Sequence, residues 1–126
     1  MRVLLDTHVV LWWLADSEQI AGEAADAIEQ AEEVLVSAAS VWEIEIKRAK
    51  GKLASPADLR WQLAETGFRE LKISGEHAEE AARLPQLHND PFDRMLIAQA
   101  RIEGLTLMTS DEEILSYQVG SFRVQP

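Results

Sequence analysis

Short apolar runs alternate with segments of helical period along this chain, and that alternation constrains its fold more than any other feature. Val3-Leu4-Leu5 follows Arg2 directly, with no polar residue interleaved, so it reads as a strand buried on both faces. Val34-Leu35-Val36, Phe68 to Ile73 and Leu105-Thr106-Leu107-Met108 read as further strands, and Phe122-Arg123-Val124 as a closing edge strand. Between them lie helical segments. His8 to Leu14 is apolar nearly all round and reads as a buried helix, and Ile20, Ala24, Ala27, Ile28 and Ala31 recur at helical spacing behind Asp16 and Ser17. Ser37 to Lys50 forms a helix with Ser40 and Glu43 in a capping-box pattern and an apolar stripe of Ala39, Trp42, Ile46 and Ala49. Ser55-Pro56-Ala57-Asp58 opens a helix running to Gly67, and Ser74 caps one that carries Ala78, Ala81, Ala82 and Leu84 and ends at Pro85. The expected architecture is α/β, with a mainly parallel central sheet flanked by helices.

The stretch His88-Asn89-Asp90-Pro91-Phe92-Asp93-Arg94 carries the strongest local signal. Pro91 suits a first helical position, because its φ is already helical and its missing N–H would be unpaired there. Asp90 is then the N-cap, Gly104 the stop, and Asp93 sits where the helix dipole favours negative charge. Read alone, this is also all that a well-capped helix needs. Other acids stand at comparable places. Asp6 ends the first strand, Asp111 follows the fourth, and Glu43 and Glu45 both flank the stripe of the helix after the second, where periodicity does not choose between them. In open parallel sheets ligands bind at the carboxyl ends of the strands, so these acids are candidates to meet there.

A length of 126 residues suits one domain, residues 1–126, with a radius of gyration of about 14 Å. The chain lacks cysteine, which excludes disulfides and thiolate metal sites and suits a reducing cytoplasm. The apolar stretch Val9 to Ala15 lacks a basic leader and is too short to span a bilayer, so the expected chain is soluble, unexported and without a membrane partner. A net charge of −10 argues against phosphate binding. Clustered carboxylates holding divalent cations would reverse that argument locally. Lys47, Arg48, Lys50 and Lys52 concentrate positive charge at one helix end, where they serve the helix carbonyls or, alternatively, contact an RNA backbone.

Leu4-Leu5-Asp6-Thr7, Ser40-Val41-Trp42-Glu43, Asp90-Pro91-Phe92-Asp93-Arg94 with Leu96-Ile97-Ala98, and Thr109-Ser110-Asp111, in this order and spread over nearly the whole chain, resemble a PIN domain of the VapC toxin type. The resemblance implies a Rossmann-like three-layer fold and a Mg²⁺- or Mn²⁺-dependent endoribonuclease with Asp6, Glu43, Asp93 and Asp111 as catalytic, metal-holding acids; it favours Glu43 over Glu45. The partners implied are an RNA substrate, a small antitoxin protein and a second copy of the chain. Ile20 and Trp61 are candidates for the antitoxin interface, with core packing as the alternative for each. Many family members have an arginine before the last aspartate and an aromatic soon after it. Here the residues are Ser110 and Ile114, which leaves Asp111 either a direct or an indirect ligand.

Hard oxygen donors suit Mg²⁺ or Mn²⁺ and in-line displacement at a phosphodiester, with no covalent protein nucleophile. Acids so close should repel, raising the pKa of at least one. Thr7 would orient a water or cap the first helix; His8 and His88 lie beside the site, where either would contact RNA or a metal-bound water, but lack zinc-like spacing and receive no ligand role; His77 reads as a surface residue. Arg94 would hold a phosphate or pair with a neighbouring acid. Two other functions compete. An aspartyl-nucleophile phosphatase wants a second aspartate two residues after the first, where this chain has His8, and a non-catalytic PIN-like binding module would use the acids for a structural cation or a partner.

Overall fold

A computed structural model describes residues 1–53, 58–115, 117 and 120–124, with the side chains of 122 and 123 excepted. Five strands, β1 (Arg2–Leu5), β2 (Glu33–Ser37), β3 (Arg69–Leu71), β4 (Thr106–Thr109) and β5 (Ser121–Arg123), form one sheet in the order β3-β2-β1-β4-β5. Every pairing is parallel, and β1 lies in the middle, with Leu4 opposite Leu35 on one side and Leu107 on the other.

The uninterrupted apolar runs have a direct explanation. Val3 and Leu5 of β1, Val34 and Val36 of β2 and Met108 of β4 face one core, whereas Leu4, Leu35 and Leu107 face the other. Alternate residues point to opposite faces, so a strand covered on both favours apolar side chains at consecutive positions. The first core is closed by α1 (Thr7–Leu14), α2 (Gly22–Gln30), α3 (Ala38–Ala49) and α4 (Leu59–Thr66), through Val9, Val10, Ala24, Ile28, Ile44, Leu59 and Leu63. The second is closed mainly by α6 (Pro91–Glu103), through Leu96, Ile97 and Ala100, and by Ile114 of the short α7 (Glu112–Leu115). Helices α5 (Gly75–Arg83) and α6 pack together as a pair. This is the three-layer α/β arrangement that the alternation predicts.

Several local expectations need correction. Helix α2 begins only at Gly22, so Ile20 precedes it, yet Ile20 is 8% exposed and belongs to the core. In α3 the cap is Ser37, whose hydroxyl accepts from the Ala39 N–H at 3.0 Å. Ser40 is buried inside the helix and accepts a hydrogen bond from Thr7 Oγ1 at 2.9 Å, joining α3 to α1; Thr7 is the first residue of α1, and Asp6 holds the N-cap position. The helix is turned accordingly: Ala39, Ser40 and Ile44 are buried, whereas Trp42 is 62% exposed. Strand β3 is shorter than the run from Phe68 to Ile73, Asp58 makes no side-chain cap to α4, and Ser55, Pro56 and Ala57 lie outside the described residues. At the start of α7 the Glu113 N–H donates to Asp111 Oδ1 at 2.8 Å, so Asp111 caps this helix besides standing at the end of β4. No helix among the described residues is long and apolar enough to cross a membrane.

Candidate functional site

Asp6 and Asp111 come together because β1 and β4 are neighbours that end at the same edge. The Asp6 N–H donates to the Met108 carbonyl at 3.0 Å, carrying the pairing one residue past the strand. Thr109 then ties the two acids: its hydroxyl donates to Asp6 Oδ2 at 2.8 Å and accepts from the Asp111 N–H at 3.0 Å. Asp6 is only 3% exposed. Burial raises its pKa, against the opposing Thr109 hydrogen bond and the charge of His8, while the charge of Asp111 adds to the rise.

The start of α6 supplies the next acid. Asp90 Oδ1 accepts from the N–H groups of Phe92 at 2.8 Å and Asp93 at 3.1 Å, and Pro91 follows it in the first helical turn, as expected from the sequence. With the helix start so fixed, the Asp93 carboxylate meets His88, whose Nε2 lies 2.7 Å from Asp93 Oδ2. Burial pushes Asp93 up to about 6, the His88 hydrogen bond opposes this, and the charges of Asp6 and Asp90 add to it. The expected upward shift among the acids is therefore present, with desolvation a larger cause than mutual repulsion. His88, Asp93 and Asp111 offer donor atoms that all lie within 4.8 Å of one another.

Glu43, like Asp6, stands outside that donor group. It comes from α3, whose contact with α6 includes an edge-on packing of Trp42 against Phe92 with ring centroids 5.2 Å apart. Glu43 Oε2 receives Lys47 at 3.1 Å, but Oε1 is buried without a hydrogen-bond partner, which costs free energy that a donor or cation would recover. Glu45 is paired with Arg48 instead. Hence two of the four basic residues at this helix end are engaged by acids of their own helix.

Other sequence readings change here. Arg94 holds neither phosphate nor carboxylate: it is 8% exposed and donates to the main-chain carbonyls of Ala81, Leu84, Pro85 and His88, at 2.8 to 3.1 Å, and to Tyr117 Oη at 3.4 Å. It thereby closes the turn between α5 and α6. His77 is 2% exposed, bonds its own helix cap through Nδ1 and meets Glu103 through Nε2 at 2.8 Å. Trp61, by contrast, is 61% exposed and not a core residue. His88 is the group that the sequence leaves without a ligand role. Its only signal was its position, five residues before Asp93.

The donor set fits a divalent cation. Two carboxylates and an imidazole converge, and Asp6 and Asp93 are held at raised pKa by burial. Each of these strains is relieved by a positive charge in the cluster.

A parallel sheet with helices on both faces and acids gathered at its carboxyl edge defines the class, and the PIN domain family profile matches residues 3–119: the chain belongs to the PIN domain family. Over 121 residues it is 37% identical to Ribonuclease VapC22 of Mycobacterium tuberculosis, covering 92% of each chain. Its fold is similar to that in a toxin–antitoxin complex from Klebsiella pneumoniae, with a TM-score of 0.69 and 20% identity over 95% of each chain. It is also similar to a chain of VapBC2 from Rickettsia felis bound to a DNA fragment from their promoter, with a TM-score of 0.69 and 14% identity over 98% of each chain.

Proposed function

We propose that the protein is a ribonuclease and the toxin of a toxin–antitoxin pair, cutting RNA phosphodiesters with the help of Mg²⁺ or Mn²⁺. The observation that carries the reading is the convergence of Asp93, Asp111 and His88, with Asp6 tied to Asp111 through Thr109, in a chain 37% identical to a ribonuclease over nearly its full length. Asp6, Glu43, Asp93 and Asp111 would hold the cations. When bound, these cations supply charge neutralisation at the phosphate and activation of water for in-line attack.

The chain's own residues do the rest. Asp6, beneath the edge of the sheet, is shielded from solvent and held by the Thr109 hydroxyl, so its carboxylate keeps one orientation. Asp93 is aimed by the capped first turn of α6, where the free N–H groups are already taken by Asp90. Glu43, on α3, brings a buried oxygen without a hydrogen-bond partner. Lys50 and Lys52, at the end of α3, add positive charge suited to an RNA backbone.

The partners in this reading are an RNA substrate, a small antitoxin and a second copy of the chain, acting in the cytoplasm as a single domain of 126 residues. The solved complexes with similar folds support the antitoxin. Incubation of the purified protein with total RNA, with and without Mg²⁺ or Mn²⁺, followed by mapping of cut ends, tests the activity. Cation-dependent cuts that disappear in Asp6→Asn are expected. Cation-bound protein that leaves all RNA intact would instead identify a binding module.

A further inference from the structure

His88 is held in place on every side. Its N–H donates to Tyr117 Oη at 2.9 Å, and its carbonyl accepts from Arg94 Nη1 at 3.1 Å; Arg94 and Tyr117 are themselves buried. The ring is 12% exposed and bonded through both nitrogens, Nδ1 to the carboxylate of Glu113 and Nε2 to Asp93 Oδ2 at 2.7 Å. A histidine whose one ring nitrogen is held by a carboxylate presents the other in a fixed tautomer and direction, which is how proteins orient imidazoles toward metal ions. Here the other nitrogen is directed into the cluster of Asp93 and Asp111, against Asp93 Oδ2, so a cation bound there displaces any proton that Nε2 carries.

We propose that His88 Nε2 is a nitrogen donor of the cation site formed with Asp93 and Asp111, that Glu113 is its positioning residue, and that the imidazole biases the site toward first-row transition cations such as Mn²⁺ and away from Mg²⁺. The inference rests on the reading of the acids as a cation site. The bias follows from donor chemistry: Mg²⁺ prefers oxygen and keeps its water, whereas first-row transition cations accept imidazole nitrogen. The buried guanidinium of Arg94 serves the same end, since it fixes the turn from which the ring is delivered.

The test is pulsed electron paramagnetic resonance of Mn²⁺ bound to the wild-type protein, made once with natural-abundance and once with ¹⁵N-labelled histidine. A directly coordinated imidazole nitrogen should appear and change with the label. It should vanish in His88→Gln, where Mn²⁺ affinity falls about tenfold or more while Mg²⁺ affinity changes less; Glu113→Gln should keep the coupling and weaken Mn²⁺ about tenfold. Bound Mn²⁺ without nitrogen coupling in the wild type overturns the proposal and leaves the cation site standing. Coupling that persists in His88→Gln also overturns it, and points to His8. Failure of the wild type to bind Mn²⁺ at all removes the cation site together with the proposal. The wild-type spectra decide without any variant having to fold.

Discussion

At Asp93, burial outweighs the hydrogen bond from His88, and the pKa rises from 3.8 to about 6. A carboxyl group that binds its proton more tightly in the folded chain than in the unfolded one loses folding stability as pH rises from the lower value to the higher, and the loss persists above both. His88 acts in the same sense. Burial pushes it down, but the Asp93 hydrogen bond and the charges of Asp93, Glu113 and Asp111 raise it overall. Its stabilisation is therefore complete below its ordinary 6.5 and lost as pH rises through the folded value. Melts of cation-free Asp93→Asn should show a stability difference from wild type that moves steadily in the variant's favour from pH 4 through pH 7, while RNA cleavage collapses; a difference that moves the other way would contradict the assignment. Arg94→Ala should destabilise by about 3 kcal/mol or more in denaturant titrations, because buried carbonyls that lose a donor cost about 1–3 kcal/mol each. The identity of such residues is legible in the sequence, but their partners are not. The ring of carbonyls around Arg94 is made by a chain reversal at residues 84–88, which no periodicity encodes, and His77 is buried by Glu103 from the far end of another helix.

Among the elements, α6 was the most legible, since both of its ends are set by local chemistry. Asp90 and Pro91 start it, and Gly104, at φ 68°, stops it in the left-handed conformation that glycine adopts without a steric penalty. Asp90→Ala should cost about 0.5–2 kcal/mol in thermal or chemical unfolding, and should lower cleavage only as far as the helix start loosens. Helix α3 was the least legible. Its inward face carries Ser40, which a hydrophobic count scores as polar, and its outward face carries Trp42, which the same count scores as core. The Thr7 hydroxyl reverses both assignments by giving Ser40 a buried partner. The true cap, Ser37, was hidden because it is also the last residue of β2 and the strand passes into the helix without a loop. Ser37→Ala should therefore carry the capping loss of about 0.5–2 kcal/mol that the sequence pattern assigned to Ser40.

For the molecule as a whole, strand order was not written in any one segment, but its consequence was: acids at the ends of parallel strands meet if those strands are neighbours. Asp6 and Asp111 met this condition through the β1–β4 pairing. Glu43, delivered by a helix of unknown rotation, was placed by resemblance and not by pattern. If the acids bind cations, unfolding must release them, so Mn²⁺ at a hundred times its dissociation constant should stabilise the wild type by about 2.7 kcal/mol and leave Asp93→Asn nearly unmoved in matched melts. The central place of β1 has a further consequence for synthesis. The first strand made is flanked by β2 and by β4, and Val3 pairs with Thr106. A nascent chain thus carries Asp6 with nothing on its β4 side until residues 106–109 have been made and have emerged, and only then can the hydrogen bond from Thr109 form. A pairing of such long sequence separation is slow to close. Whatever the acidic cluster can cut, it can cut only once β4 has been laid beside β1.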